Sequence, residues 1–397
     1  MKTRLSRIIL IAALAAITAG CGPGTPTPTP RPSATPAPPT HTPSPTPATV
    51  SQRINQGVDG VMNAFMKGQA MTACSVVVVA PDLGPETPTP ALGQPVTLVR
   101  QVHSFGRLGA DNAAPVDQDT EYEIGGLSKL FTALVLSVEN FDGLMPIGDP
   151  VQKFMPPGLT YPEALTYTTP LEDLALHTAG LPRHAQGMGG ERRVDGVYQQ
   201  GYASDDEMSS FLANFTQIRP PGLSWEYSNV GYGLLGMAED VALADSWERV
   251  EVAIVSRPMG LDHTHVTPAV GELPHLALGY DAPGHPAMAF TQRGDLLAAS
   301  GMRSTPSDLG LFLQAMIAPD QSRYPQAIQL TRSPFAATPY PGISQGLGWL
   351  IYHPNQPDEV FYKAGLTAGF SSYIAYSAVH WTGYAVMCNA PKICPVR

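Results

Sequence analysis

The sequence is short of positive charge: its 397 residues hold 23 Lys plus Arg against 33 Asp plus Glu. Four of those bases (Lys2, Arg4, Arg7, Arg31) fall in the first 50 residues, which contain no acid, so the remainder is strongly acidic. A surface of that sign repels a phosphate backbone, which removes nucleic acid from the expected partners. Cysteine is equally scarce, with only Cys21, Cys74, Cys388 and Cys394, and no Cys-x-x-Cys occurs. That excludes a small disulfide-stapled scaffold and a thiolate zinc centre, while the length suffices to bury a full-sized core. His263-x-His265 has no acidic or histidine partner at ligand spacing along the chain, so it reads as a turn; neither a metal nor any other cofactor is expected.

Long apolar runs are missing too. The one near the start, Ile8 to Ile17, is too short to span a bilayer, follows Lys2, Arg4 and Arg7, and ends in small residues, which marks residues 1–20 as an export signal. Thr18-Ala19-Gly20-Cys21 is similar to a bacterial lipobox, which implies a lipidated Cys21 at the mature N-terminus and a membrane anchor on the extracytoplasmic side of the cell envelope. Residues 22–49 hold 11 Pro and 8 Thr with one charge, a composition that forms no core and favours an extended spacer. The expected organisation is a signal over 1–20, a lipidated Cys21 with a linker to 50, and one domain over 51–397. With Cys21 lipidated, three cysteines remain for at most one disulfide, whose pairing the sequence leaves open.

What is present in the body has a clear order. Ile54, Val58, Val61, Met62 and Phe65 recur at helical spacing, predicting an opening amphipathic helix. Ala73 to Ala80 and Val96 to Phe105 are β-rich and separated by a Pro- and Gly-bearing loop, predicting an antiparallel hairpin. Helical segments follow over 127–140, 171–176, 205–215, 232–243, 247–255 and 306–316, and strands return over 346–352, 369–376 and 383–389. Strands at both ends with helices between them predict an α+β fold: an antiparallel β-sheet flanked by helices, with an inserted helical region. Gly342-Ile343-Ser344-Gln345-Gly346 matches G-x-S-x-G, but three prolines precede it and a strand-like run follows, so Ser344 reads as a loop residue and not a nucleophile.

Seven blocks carry the chemistry: EYEIGGLSKLFTAL (121–134), LEDLALHTAGLP (171–182), PPGLSWEYSNVGYGLLG (220–236), PMGLDHT (258–264), GMRSTPSD (301–308), GLGW (346–349) and KAGLTAGFSS (363–372). In this order and spacing, over about residues 52–390, the chain resembles the serine β-lactamase and penicillin-binding-protein superfamily, on its class C, D-Ala-D-Ala carboxypeptidase and esterase side. The resemblance implies a cleft between the sheet and the helical region, framed by three elements. A Ser-x-x-Lys at a helix start pairs a nucleophile with its base, and Lys129 matches that lysine. Tyr-x-Asn supplies a phenolic base and an amide for the substrate's peptide-like arm, matched by Tyr227 and Asn229. Lys-x-Gly on the sheet's edge strand supplies positive charge and an oxyanion N–H, matched by Lys363, Gly365 and the following Leu366.

The first element is broken, because Gly126 occupies the nucleophile position. None of the six lysines has a Ser three residues before it. Ser128 lies roughly 200° around a helix from position 126, so its Oγ is expected to miss the cleft. Other departures are Ala179 where Ser is usual and Leu366 where a small residue is usual, its side chain expected to crowd the oxyanion pocket. Relatives usually add a C-terminal helix after the last strand, so one sheet surface is expected to be more exposed, or Cys394 to pin the tail. Three functional readings follow. The first is a surface-tethered pseudoenzyme that binds a peptidoglycan-like peptide or a small acyl-amide or ester ligand through Lys129, Tyr227, Asn229 and Lys363. The second is a hydrolase in which Lys129 and Tyr227 activate water, with nearby cations lowering the Tyr227 pKa. The third is an interaction module with a decayed site.

Overall fold

The computed structural model describes residues 50–66, 73–83, 96–157, 159, 169–184, 192–194, 197–199, 205–216, 219–282, 284–287 and 296–390. All belong to one compact unit, Thr49–Ile393. The export signal, Cys21, the Pro/Thr linker and Cys394 lie outside the described residues.

The β-branched run of β1 (Ala73–Pro81) is buried on almost every residue, as a strand covered on both faces must be. It pairs along its whole length with β2 (Leu98–Gly106), from Ala73 opposite Gly106 to Pro81 opposite Leu98, which is the expected hairpin. Six further strands come from the C-terminal third: β3 (Ala336–Ala337), β4 (Ile343–Gln345), β5 (Leu350–Tyr352), β6 (Val360–Leu366), β7 (Ser371–Ser377) and β8 (Thr382–Cys388). The antiparallel sheet runs β2-β1-β8-β7-β6-β5-β4-β3. Ser344 therefore sits within a strand and not in a loop, paired with Ala337 on one side and Ile351 on the other.

β6 is not the outermost strand that the resemblance implied, since three short strands lie beyond it. Its pairing with β5 nevertheless stops at Tyr362, whereas its pairing with β7 continues to Leu366. Lys363–Leu366 thus keep one free edge, and the helical region presses against it.

Nine helices of the described residues supply that region and its supports: α1 (Val50–Met66), α2 (Ser128–Asp142), α3 (Leu171–Ala175), α4 (Asp205–Asn214), α5 (Asn229–Leu243), α6 (Trp247–Glu251), α7 (Leu297–Ser300), α8 (Pro306–Ile317) and α9 (Pro325–Thr331). α8 begins on Thr305, whose hydroxyl accepts from the Asp308 N–H, with Pro306 in the first turn where a missing N–H costs nothing. The main core joins Val77, Val79, Ile374 and Met387 of the sheet to Phe131 and Leu134 of α2 and to Leu309, Phe312 and Leu313 of α8. Phe131 and Phe312 stack at 4.7 Å between centroids. A second core lies within the helical region, where Leu136, Leu171, Leu174, Met208, Leu212, Leu234 and Leu235 meet.

On the opposite sheet face Val58 and Met62 of α1 cover Cys74, Val76 and Cys388. The rest of that face carries half-buried Tyr362, Tyr373 and Tyr384 in a ladder with 6.2 and 5.9 Å between rings. Cys74 and Cys388 stand opposite each other in register and form a disulfide, which resolves the pairing that the sequence left open. His263 lies in a turn as expected, with His265 just after it. The lack of acidic partners holds only along the chain, however: Glu272 sits 3.0 Å from His263 and Glu121 3.2 Å from His265.

Backbone approach without side chains brings the free edge of β6 to the turn before α2. A Cβ on Gly365 would overlap the Ile124 carbonyl oxygen and stand 2.5 Å from Ser372 Oγ, and one on Gly125 (φ +50°) would stand 2.8 Å from Leu366 N. Gly365→Ala is expected to destabilise the chain by about 1–3 kcal/mol through overpacking, read from the urea midpoint. Reduction of the 314-residue Cys74–Cys388 loop is expected to cost roughly 2–4 kcal/mol, checked by thermal unfolding with and without reductant and by intact mass.

Candidate active site

Gly125–Leu127 form a single tight turn that runs directly into α2 and sets Gly126 against the free edge of β6. A Cβ built on Gly126 would lie 2.9 Å from the Ala364 carbonyl oxygen and 3.1 Å from Tyr227 Oη. Gly126, Tyr227 and the Lys-x-Gly strand are therefore brought together. The 2.9 Å separation is closer than a real carbon tolerates beside backbone, so the strand occupies part of the volume that a serine side chain would need.

Lys129 lies one turn further along α2 on the same face, fully buried. Its Nζ donates to Asn229 Oδ1 at 2.8 Å and to the Ala299 carbonyl at 2.6 Å, and rests over the rings of Tyr227 (4.8 Å) and Tyr232 (5.3 Å). Burial, reinforced by the charges of Lys363 and Arg183, holds its pKa well below the usual lysine value. Lys363 points to the same side of β6 as Gly365, is 2 % exposed, and places Nζ 5.2 Å from the Tyr227 ring centroid. Burial pulls its pKa down to about 7. Among the described residues neither lysine is paired with a carboxylate.

Tyr227 sits just before α5, positioned by a local cap. Ser228 Oγ accepts the Gly231 N–H and donates to the Pro182 carbonyl, and the Ser228 N–H donates to Nδ1 of His177. The His177 proton is therefore on Nε2. Burial and the three nearby cations hold this imidazole neutral, its pKa well below the usual histidine value. His177 adopts φ 63° and packs its ring 4.5 Å from that of Tyr227, a strained backbone that fixes the phenol from behind. Burial pushes the Tyr227 pKa up to about 12 against the opposing charge of Arg183. Arg183 does lower it, in the expected sense, but the net shift is upward because loss of hydration outweighs that field.

Asn229 opens α5 with its side-chain oxygen committed to Lys129, so its N–H pair is what the amide can offer a ligand. Leu366 does not crowd the pocket as expected. The alternation of β6 turns it outward beside Ala364, 59 % exposed, and only its backbone approaches the Gly125 turn. Ser128 Oγ donates to the Gly125 carbonyl and accepts the Met302 N–H, buried away from the cleft as its helical angle predicts. Ser371 and Ser372 donate to the carbonyls of Ala390 and Ile124 and serve the backbone in the same way.

Two residues of this site were given no role in the sequence reading. Arg183 places its guanidinium 4.9 Å from the Tyr227 ring centroid, the third cation around that phenol. A lone arginine in a loop carries no spacing signal. His177 was visible in the HTAGLP block, but its role as the partner of Ser228 depends on a contact 51 residues away.

Comparisons with known proteins agree with this geometry. A family model described as Beta-lactamase matches residues 96–393. A β-lactamase of Pseudomonas fluorescens is 24 % identical over 369 residues, covering 85 % of this chain and 93 % of its own. The D-alanyl-D-alanine-carboxypeptidase/endopeptidase AmpH of Escherichia coli K12 is 25 % identical over 290 residues, covering 70 % and 72 %. Protein flp of Staphylococcus aureus N315 is 22 % identical over 289 residues, covering 72 % and 56 %. With an antiparallel sheet, a helical region pressed on its free edge, and Lys129, Tyr227, Asn229 and Lys363 converging there, the chain belongs to the Beta-lactamase family.

Proposed function

We propose that this chain is an exported, lipid-anchored member of the family that forms no acyl-enzyme and binds a cell-wall peptide, or a similar acyl-amide or ester carboxylate, noncovalently in this cleft. The observation that carries the reading is Lys363: a buried ammonium 5.2 Å from the ring centroid of Tyr227, paired with no carboxylate among the described residues, on the same phenol whose Oη lies 3.1 Å from the Cβ position of Gly126. A ligand carboxylate would supply the missing counter-charge, and Arg183 adds to the same field. Lys129 lies beneath this surface, held by Asn229 and Ala299, and supports the amide that meets the ligand's peptide arm. The activity named for the Escherichia coli relative supplies the ligand class, a chain ending in D-alanyl-D-alanine. Export and anchoring rest on residues 1–21 of the sequence.

Direct water activation by Tyr227 is disfavoured, because burial keeps the phenol protonated at neutral pH. Without a nucleophile, a member of this family retains what binding and the oxyanion site provide.

The full chain is expected to remain unlabelled by a fluorescent penicillin, read by intact mass. Gly126→Ser is expected to label slowly, since β6 must yield to admit the new side chain. Labelling of the native chain would sink the proposal. Binding of a peptide ending in D-Ala-D-Ala, followed calorimetrically, should weaken as pH rises. The Lys363 pKa is pulled from 10.5 to about 7, so its ammonium is present below that value and lost above it. Affinity is expected to fall by up to about tenfold per pH unit above neutrality, and Lys363→Met should flatten the profile. The ligand-free chain should show the opposite trend. The unfolded chain keeps that proton to higher pH than the folded one, so the penalty this group places on folding shrinks as pH rises from about 7 to 10.5. Unchanged affinity in Lys363→Met would favour the interaction-module reading instead.

A further inference from the structure

Remote from Gly126 in role, though only five residues before it in sequence, Glu121 begins a second cluster. Glu121, His265 and Glu272 each present one ligand atom, and these atoms lie within 4.8 Å of one another. His265 Nε2 is 3.2 Å from Glu121 Oε2 and 3.6 Å from Glu272 Oε2. Ligands about 2.0–2.1 Å from a four-coordinate ion stand roughly 3.3–3.5 Å apart, so the two separations from His265 bracket the edges of such a sphere.

Hydrogen bonding alone leaves the cluster unsatisfied. One imidazole nitrogen can supply one proton, yet two carboxylates converge on it. Glu121 is 1 % exposed, and its Oε1 has no hydrogen-bond partner among the described residues. A buried carboxylate oxygen without a partner is costly, as is a second carboxylate beside it. The neighbouring guanidinium of Arg303 pairs with Glu123 at 3.1 Å. A divalent cation among the three ligand atoms would neutralise the two facing carboxylates, and binding Glu121 through both oxygens would also give Oε1 its partner.

The backbone around the cluster is already fixed. His265 and Arg303 exchange backbone hydrogen bonds of 3.2 and 2.7 Å, and Glu121 bonds through its N–H to His275 and through its carbonyl to Ala277. Asp308 Oδ2 accepts from the His263 N–H and from the Thr264 hydroxyl, both at 2.8 Å, and so holds the turn that presents His265. His263 Nδ1 meets the other oxygen of Glu272 at 3.0 Å, an outer partner of the kind that orients metal-binding carboxylates. Glu272 Oε2 also accepts the Ala269 N–H and keeps a second lone pair for an ion.

We infer that Glu121, His265 and Glu272 form a binding site for a divalent transition ion of the zinc class, bracing three chain segments against one another. A mixed imidazole and carboxylate set suits Zn²⁺ better than Mg²⁺ or Ca²⁺, which take oxygen ligands. His265 and Glu272 are both partly exposed, so a solvent water would be the fourth ligand.

The test uses the full chain without a histidine tag, stripped with chelator and titrated calorimetrically with Zn²⁺, with Co²⁺ as a spectroscopic probe. One ion per chain is expected, together with a higher unfolding temperature in excess Zn²⁺. The Co²⁺ complex should show ligand-field bands without thiolate charge transfer, which separates this site from any free cysteine. His265→Ala and Glu272→Gln are each expected to weaken Zn²⁺ binding by at least about tenfold. Glu272 is the more exposed of the two, so its variant reports even if His265→Ala folds poorly. Absence of saturable Zn²⁺ binding, or binding undiminished in both variants, would overturn the inference.

Discussion

The contact on which the cleft depends is backbone against backbone: the Gly125-Gly126 turn laid on the free edge of β6 at Gly365 and Leu366. Glycine faces glycine here because no Cβ fits between the two chains. That approach fixes the start of α2 and hence the direction of Lys129, and it sets the height of β6 and hence of Lys363. It also defines what the loss of a hydroxyl at position 126 has become. The Ala364 carbonyl lies within the volume that a side chain at 126 would take, so that position is not simply an empty space awaiting one.

Charge is the second constraint. Two buried lysines and an arginine surround one phenol and one neutral imidazole, and the price of their desolvation is met by packing elsewhere in the body. Such an arrangement disfavours the folded state in the absence of a counter-charge. The packing of the Tyr227 and Trp225 rings against His177 and the left-handed backbone at His177 hold the geometry that the repulsion would otherwise loosen.

Most of the large elements were legible because their causes are local. The run SVVVV has no alternative to a buried strand, and the apolar spacing from Ile54 to Phe65 has none to an amphipathic helix. Ser228 begins α5 earlier than the apolar periodicity suggested, at Asn229 instead of Tyr232, because the cap and not the hydrophobic pattern sets the first turn. The short strands Ala336–Ala337 and Ile343–Gln345 were hidden by the prolines around them, and α9 by its brevity. In the cleft, the residues carried by the seven blocks were identifiable, whereas their electrostatics were not. The direction of the Tyr227 pKa turns on how much water is lost, a property of the assembled fold. The Glu121, His265 and Glu272 cluster was invisible for the same reason, since the fold alone carries Glu121 across 144 residues to His265.

The position of β1 in the sheet has a kinetic meaning. This strand is the first of the sheet to be made, yet it lies between β2 and β8, and β8 is the last. Until Thr382–Cys388 is available, one whole edge of an apolar Val-rich strand has no partner. Such an edge invites pairing with other chains. A sheet closed by its two sequence extremes folds slowly and late, by the rule that distant contacts must wait for the entropy of closing long loops. The sheet therefore cannot close around β1 until Thr382–Cys388 has been made, and the Val-rich edge stays open up to that point.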